Sequence, residues 1–353
     1  MSKAIFVKGT PYEMGFQQGQ HIAPIIKKNT ALVHQMMREH NFNMEEYGAF
    51  IQKDAEYIRR ENSELIDEMH GIADGSGISF QDILYLNIPA YFMKDHFRQE
   101  CSMLLARGNA TLDGKTYLIK NRDMSLYLEQ VMVYREYNDG MKITEVNGAG
   151  TVTYPAMGIN NYGVAVTNTG FWSPKVSTDY HRVGEAQVVI NSHIILRHCK
   201  TAKEGLQWLL DTPRINGLNM IITDSQNSYL IEVLKDRAYV EEADERGILC
   251  RTNHYISSEN SVLNSEPDAA PSTFYRYKRI QEMLEDCYGS IRFQDLYRIM
   301  SDHKYAPNCL CRHPQEGAPG WTASSTLCVI EDMELWSTTG SPCEMLPHTR
   351  IDI

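Results

Sequence analysis

The sequence predicts an α+β protein built in layers, helix–sheet–sheet–helix. Three observations carry this expectation. Residues 1–100 repeat apolar positions at helical spacing. Short β-rich runs separated by Gly and Asp or Asn turns begin at Cys101. Two pairs of helical segments then interrupt the later strands. Mostly antiparallel sheets cannot bury both faces alone, so the helices must cover them.

The elements follow in order. A short strand over 4–8 leads to Thr10, an expected N-cap, and Pro11 at the first helical position. Met14, Ile22, Ile25, Ile26, Leu32, Val33, Met36 and Met37 then recur at helical spacing. Further helices are expected over 45–61 and 63–73, with Gly71, Gly75 and Gly77 marking the end of the second. Ser79 caps a short helix through Asp82, Leu84 and Leu86. Strands are expected over 102–106, 115–120, 131–137 and 142–146, turned by Asp113-Gly114 and Asp139-Gly140. Another pair surrounds Asn160-Asn161-Tyr162-Gly163. Helices over 184–199 and 201–211 follow, the second opened by Thr201 with Glu204. Strands return over 219–223, 228–234, 237–242 and 248–252, then helices over 272–286 and 291–301, then strands over 326–331 and 334–338. With no repeat, low-complexity segment or linker, one composite domain is expected.

Bulk properties narrow the function. At 353 residues, 42% hydrophobic and 22% charged, the chain has the balance of a soluble globular protein with a sizeable core. A net charge of -11 argues against nucleic acid and, weakly, against anionic membranes. Eight cysteines scattered through a chain this long read as reduced, partly buried thiols. The opening MSKAIFVKGTPYEMG has no apolar signal region, and no long apolar run reads as a membrane span, so a cytoplasmic location is expected.

Cys101 stands where helical sequence gives way to β sequence. If 101–106 and 115–123 pair, Asp123 of Asn121-Arg122-Asp123 falls near the start of the first strand, where it either closes a turn or holds an ammonium or thiol. Arg122 alternates to the opposite face and is expected to be solvated. In Arg251-Thr252-Asn253-His254-Tyr255, Asn253 offers an amide donor for an oxyanion and His254 a base for a thiol, unless both serve only their loop. Cys309-Leu310-Cys311-Arg312-His313 invites a zinc reading, but no second ligand pair matches the usual spacing, so no metal and no other cofactor is expected. Arg312 is the better candidate there, for a substrate carboxylate or a thiolate. Tyr91, Phe92, Phe171, Trp172 and Trp321 are pocket or core aromatics.

Together these pieces resemble the acyl-coenzyme A:6-aminopenicillanic acid acyltransferase family, the isopenicillin N acyltransferase-like or C45 peptidases, among the N-terminal nucleophile hydrolases. The resemblance runs from Gly9-Thr10-Pro11-Tyr12-Glu13-Met14-Gly15 and Gly19 through Gly71-Ile72-Ala73-Asp74-Gly75 and Leu84-Tyr85-Leu86-Asn87. It continues through Cys101, Asn121-Arg122-Asp123, Gly158-Ile159-Asn160-Asn161-Tyr162-Gly163-Val164, Thr252-Asn253-His254 and Cys311-Arg312. It implies a four-layer αββα fold and self-cleavage between Glu100 and Cys101, leaving 1–100 and 101–353 associated. It implies Cys101 as nucleophile, Asp123 as the aspartate of an N-x-D element, Asn253 as oxyanion donor and Arg312 as the arginine that follows a cysteine. Asn121 and His254 are supporting candidates.

The implied chemistry is an acyl-thioester route through a small-molecule amide. A neutral α-amine beside the thiol takes its proton, and the acyl group passes to water or to an amine. Hydrolysis of a linear amide is the expected outcome, since transfer requires a site that excludes water. The sequence departs from the family at Glu100, where small residues are common, at Met103, where a smaller polar residue is common, and at Arg122, where an aromatic is common. The alternatives are an uncleaved thiol hydrolase using Cys101 with His254, and an inactive ligand-binding homologue. A homo-oligomer is compatible with the sequence.

Overall fold

The computed structural model describes residues 4–88, 100–124, 128–171, 173–176, 191–213, 217–314, 320–344, 347 and 349–353. Tyr91, Phe92, Trp172 and the first part of the helix expected over 184–199 lie outside these residues.

Two sheets stack face to face. The first takes β1 (Ala4–Gly9), β4 (Gln130–Tyr137), β5 (Lys142–Gly148), β6 (Met157–Asn160), β7 (Ala165–Gly170), β8 (Leu218–Thr223), β9 (Ser228–Val233) and β10 (Ala238–Glu242), in that order. The second runs β11 (Ile248–Arg251), β2 (Glu100–Ala106), β3 (Tyr117–Met124), β12 (Trp321–Val329), β13 (Glu334–Ser337), β14 (Thr349–Asp352). Among the described residues all pairings are antiparallel except β1 with β4 and the isolated bridge Thr111 to Ile291.

Side-chain alternation sorts three cores. Met103, Leu105 and Leu118 meet Met132, Val146, Met157 and Ile221 between the sheets. The other face of the second sheet, through Leu104 and Ile119, packs on α7 (Pro271–Glu285) and α8 (Phe293–Met300). The outer face of the first sheet packs on α1 (Pro11–Glu39), α2 (Met44–Glu61), α3 (Ser63–Ser76), α4 (Phe80–Asn87), α5 (Asn191–His198) and α6 (Ala202–Asp211). The order is therefore αββα, as expected from the sequence.

Local signals account for most boundaries. Thr10 caps α1 in a capping box with Glu13, and Pro11 occupies its first turn. Pro24 cannot donate to its helix, and the backbone kinks at Ile22. Gly77 ends α3 in the left-handed conformation. Gly71 and Gly75, however, lie inside α3. A Cβ on Gly71 would fall 2.1 Å from the Tyr12 carbonyl oxygen, and one on Gly75 would fall 2.2 Å from that of Phe16. Gly15 and Gly19 meet α3 in the same way from α1. These glycines set how closely two helix backbones approach, which sequence reading mistakes for a stop signal. Gly71→Ala, which in an open helix gains about 1 kcal/mol, is expected here to lose about 1–3 kcal/mol by overpacking. Chemical denaturation checks the sign.

Other boundaries shift. β2 starts at Glu100 and β3 extends to Met124, so Asn121, Arg122 and Asp123 are strand residues. β12 begins at Trp321 because it pairs along the whole of β3. β14 was not anticipated; among the described residues it pairs with β13 at the edge of the sheet. Arg122 is not solvated: it is 2% exposed, donates to Gln130 Oε1 at 3.1 Å and lies over the Tyr154 ring.

No helix of the described residues is long and apolar enough to cross a membrane.

Candidate active site

The β2–β3 register decides where the chemistry sits. Glu100 pairs with Asp123, Cys101 with Arg122, and Met103 with Lys120. Cross-strand partners share a face. Cys101, Met103, Lys120 and Arg122 therefore line the side that faces the first sheet. Glu100, Ser102, Asn121 and Asp123 line the side toward α7 and α8. The sequence expectation that Asp123 lies near the start of the first strand holds.

Cys101 is 1% exposed and is held through its backbone. Its N–H donates to Asn253 Oδ1 at 2.9 Å. Its carbonyl accepts from Arg276 Nη1. Arg276 reaches in from α7, fully buried, and also donates to Asn253 Oδ1 at 2.8 Å, Ser102 Oγ at 2.9 Å and Glu100 Oε2 at 3.0 Å. Two donors face Oδ1 of Asn253, so its amide orientation follows from the network. Its Nδ2 donates to the Gly170 carbonyl at 2.7 Å.

The loop carrying Asn253 is fastened from below. Buried Glu232 accepts from Arg251 Nε at 3.1 Å, Ile256 N at 2.6 Å and Ser257 N at 3.1 Å. Thr273 at the start of α7 donates its hydroxyl to Thr252 Oγ1 at 2.9 Å and accepts from Asn253 N at 2.7 Å.

Glu100 sits in a buried cationic cradle. Its carboxylate accepts from Arg276, Arg312 and Ser272 Oγ, the last at 2.7 Å. Burial alone pushes this carboxyl up, but Arg276, Arg312 and the Ser272 hydroxyl outweigh it and hold it at about 2, against 4.5 normally. A depressed acid stabilises the fold above its unfolded value, and that contribution is lost as the pH falls through the folded value. In uncut chain, made as Cys101→Ala, the Glu100 cradle is expected to contribute about 3 kcal/mol at pH 6 that disappears near pH 2. Denaturant titrations of Cys101→Ala against Cys101→Ala/Glu100→Gln across that range measure it. A difference between the two that stays constant with pH contradicts it.

Arg312 and Asp123 complete the α7 side. Asp123 Oδ1 accepts from Thr322 Oγ1 at 2.7 Å. Its Oδ2 is buried without a hydrogen-bond partner, 3.9 Å from Arg312 Nε. Burial raises this carboxyl, opposed by Arg312, Arg276 and Thr322. Arg312 Nη1 is likewise buried and unpartnered.

Asn121 and His254 sit differently from the other candidates. Asn121 Nδ2 donates to the Met300 and Leu310 carbonyls at 2.8 and 2.9 Å, tying the loop before Arg312 to α8. His254 Nδ1 faces the hydroxyls of Thr252 and Thr273 at 3.1 and 2.8 Å, and its ring packs on Phe274 and Tyr277. Burial, with Arg276 and Arg251 nearby, pushes it down to about 3. In this arrangement the Nδ1 side of the ring is turned to two threonine hydroxyls. Of the described aromatics, Phe171 stacks on Tyr255 at 3.9 Å, and Trp321 opens β12 across from Met124.

Sequence reasoning missed Lys120, Ser272 and Arg276. Lys120 is 3% exposed; burial pushes its ammonium down to about 8, with Cys101 and Asp123 acting the other way and Arg122 adding to the fall. The available signal was a pair of cations alternating with Leu118 on an inward face. For Arg276 it was a cation in register with Thr273, Ile280 and Met283 on the apolar stripe of a helix. The expectation of no metal rested on the lack of a second ligand pair near Cys311 and His313. The structure brings His303, a few residues upstream, and Cys343, from a separate segment, to the same place.

The sequence profile of the acyl-coenzyme A:6-aminopenicillanic acid acyl-transferase family matches residues 110–342. An uncharacterized protein of Archaeoglobus fulgidus is 22% identical over 394 aligned residues, covering 97% of this chain. The chain spans 64% of the length of that curated relative. Among solved structures, penicillin V acylase from Agrobacterium tumefaciens aligns at 11% identity and a TM-score of 0.47, over 72% of this chain and 86% of that one. A mutant conjugated bile acid hydrolase from Clostridium perfringens aligns at 14% and 0.46, over 71% and 92%. A Caenorhabditis elegans N-acylethanolamine-hydrolyzing acid amidase ortholog aligns at 13% and 0.46, over 65% and 92%.

Proposed function

This chain belongs to the acyl-coenzyme A:6-aminopenicillanic acid acyl-transferase family of N-terminal nucleophile hydrolases, and on that premise we propose that it is a self-processing cysteine amidase. The observation that carries the proposal is the convergence of Asn253, Arg276, Arg312 and Ser272, from three separate segments, on the Glu100–Cys101 junction.

In processing, the Cys101 sulfur attacks the Glu100 carbonyl carbon. The C–N bond breaks, the nitrogen takes a proton to become the α-amine, and a thioester joins Glu100 to Cys101. Water then releases Glu100 as a carboxylate and restores the thiol. The products are 1–100 and 101–353, held together by the cores that α1–α4 share with the first sheet.

In turnover, the freed amine takes the thiol proton and the thiolate attacks the substrate amide. The proton passes to the departing amine, and water resolves the thioester. Asn253 holds the α-amine through Oδ1, and its amide Nδ2 is the oxyanion donor that the family resemblance implies. Asp123 Oδ2, which accepts no hydrogen bond among the described residues, lies across from Glu100 and is available to the new ammonium. Lys120 lies on the same strand face as Cys101, its ammonium pushed down to about 8 by burial, and places a cation beside the reacting sulfur when protonated. Before the cut the amine is an amide and cannot act as a base, so the precursor is inactive.

The cradle around Glu100 also bears on the substrate. The acyl group of a substrate takes the place of Glu100 on the sulfur. Once Glu100 leaves, two buried arginines keep only Asp123, whose carboxylate lies 3.9 Å from Arg312 Nε, which favours the arrival of another anion. The favoured substrate is therefore a linear amide whose acyl part ends in a carboxylate. The test compares N-glutaryl and N-pentanoyl amides of one chromogenic amine. The glutaryl amide is expected to have the higher kcat/KM by at least about tenfold, with the preference lost in Arg276→Met. Equal rates overturn the anionic pocket, and no hydrolysis of any acyl amide overturns the amidase reading.

A further inference from the structure

Behind Arg312 a second cluster of reactive side chains converges, away from any role in the amide chemistry. The side chains of Cys311, Cys343, His303 and His313 bring two sulfurs and two imidazole nitrogens within 4.8 Å of one another. The sulfurs of Cys311 and Cys343 are 3.5 Å apart, and both cysteines are free thiols. The Nε2 atoms of His303 and His313 are 3.0 Å apart. His313 Nε2 lies 3.9 Å from the Cys311 sulfur and 3.2 Å from that of Cys343.

These separations have a geometric meaning. A tetrahedral zinc ion sits about 2.3 Å from sulfur and about 2.0–2.1 Å from imidazole nitrogen, which spaces its neighbouring ligand atoms by roughly 3.3–3.8 Å. The observed spacings scatter around that range. We propose that His303, Cys311, His313 and Cys343 form a closed structural zinc site.

The surroundings are those of a built site. His313 Nδ1 lies 3.2 Å from Glu344 Oε1, so that carboxylate holds the Nδ1 proton and turns Nε2 toward the cluster. Cys311 N donates to the Asp302 carbonyl at 3.0 Å, which sets His303 beside Cys311. Ser341 Oγ donates to the Arg312 carbonyl at 3.0 Å, which brings the segment of Cys343 alongside. Two soft thiolates with two imidazoles suit zinc above magnesium or calcium, and four protein ligands leave no open position for catalysis. Binding releases two thiol protons and ties three chain segments together. Arg312 lies between two of the ligands, so the metal fixes the loop that presents it to Glu100 and Asp123.

Elemental analysis of the full chain, purified without chelators or immobilised metal, is expected to find about one zinc per chain. His303→Ala and Cys343→Ser, both at exposed positions, are each expected to lower that below about a fifth. Cobalt added to zinc-stripped wild type is expected to give the intense visible bands of a tetrahedral ion with thiolate charge transfer. This spectrum needs no variant and decides the matter even if the substitutions unfold the loop. Circular dichroism checks that stripping leaves the chain folded. The proposal is overturned if folded wild type neither retains zinc nor takes up cobalt tetrahedrally. It is also overturned if both variants keep full zinc, or if fresh protein carries a Cys311–Cys343 disulfide in place of the metal.

Discussion

Replacing Cys101 by alanine is expected to lower amide turnover by at least about 10³-fold, to the background of the uncatalysed reaction. The loss has two sources that act in sequence. Without the sulfur no thioester forms at Glu100, so the α-amine is never released. Without the sulfur no thioester forms with substrate either. Cys101→Ser separates these, because a hydroxyl is a weaker nucleophile than a thiolate at neutral pH. The serine chain is expected to process slowly, over hours or days, and to hydrolyse substrate at a rate well below wild type. Neither change should disturb the fold, because Cys101 is anchored through its backbone N–H and carbonyl rather than its side chain. Initial rates and labelling by a thiol-directed acylating probe measure the effect. Wild-type turnover in Cys101→Ala would place the chemistry elsewhere.

Asn253→Ala is expected to lower kcat by about 10²–10³-fold with a much smaller change in KM. The residue has two functional ends, and they can be distinguished. Oδ1 receives the Cys101 N–H and Arg276, whereas Nδ2 faces the Gly170 carbonyl. Asn253→Asp keeps an acceptor for the first pair and removes both amide hydrogens. If Nδ2 stabilises the oxyanion, aspartate is as damaging as alanine, since it adds a negative charge where one develops. If only the anchor at Oδ1 matters, aspartate retains most of the activity. The expected result is the first, read from kcat and KM measured separately on mature protein.

How far the sequence reveals this arrangement depends on the kind of signal. Periodicity and turn chemistry are sufficient for the layer order. The alternation on either side of Asp113-Gly114 is enough by itself to bring Asp123 to the head of β2, because a strand pair has a period of two and a register fixed by its buried face. Cys101, Asn253 and Arg312 are reached through short motifs whose order matches a family. Groups supplied by tertiary packing are not legible. Arg276 stands in register with the apolar stripe of its helix, but only the approach of α7 to β2 shows that its guanidinium is buried on Glu100. Lys120 is one of many lysines until the register places it beside Cys101. Gly71 and Gly75 look like helix terminators because local sequence contains no record of the helix that presses on them. Cys343 stands 32 residues from Cys311, and no local spacing rule connects the two. Glu100 looks like an obstacle to processing when read as a lone bulky acid. In the structure its charge is met by two arginines and a hydroxyl, so a bulky acid at that position is compatible with a tightly held junction.

The most direct measurement is the intact mass of denatured, catalytically active wild-type protein beside Cys101→Ala. Two masses that meet between Glu100 and Cys101 in the wild type, with a single full-length mass in the variant, are the predicted result. Active wild type that remains one uncut polypeptide would contradict the proposal that Cys101 works as a liberated N-terminal residue.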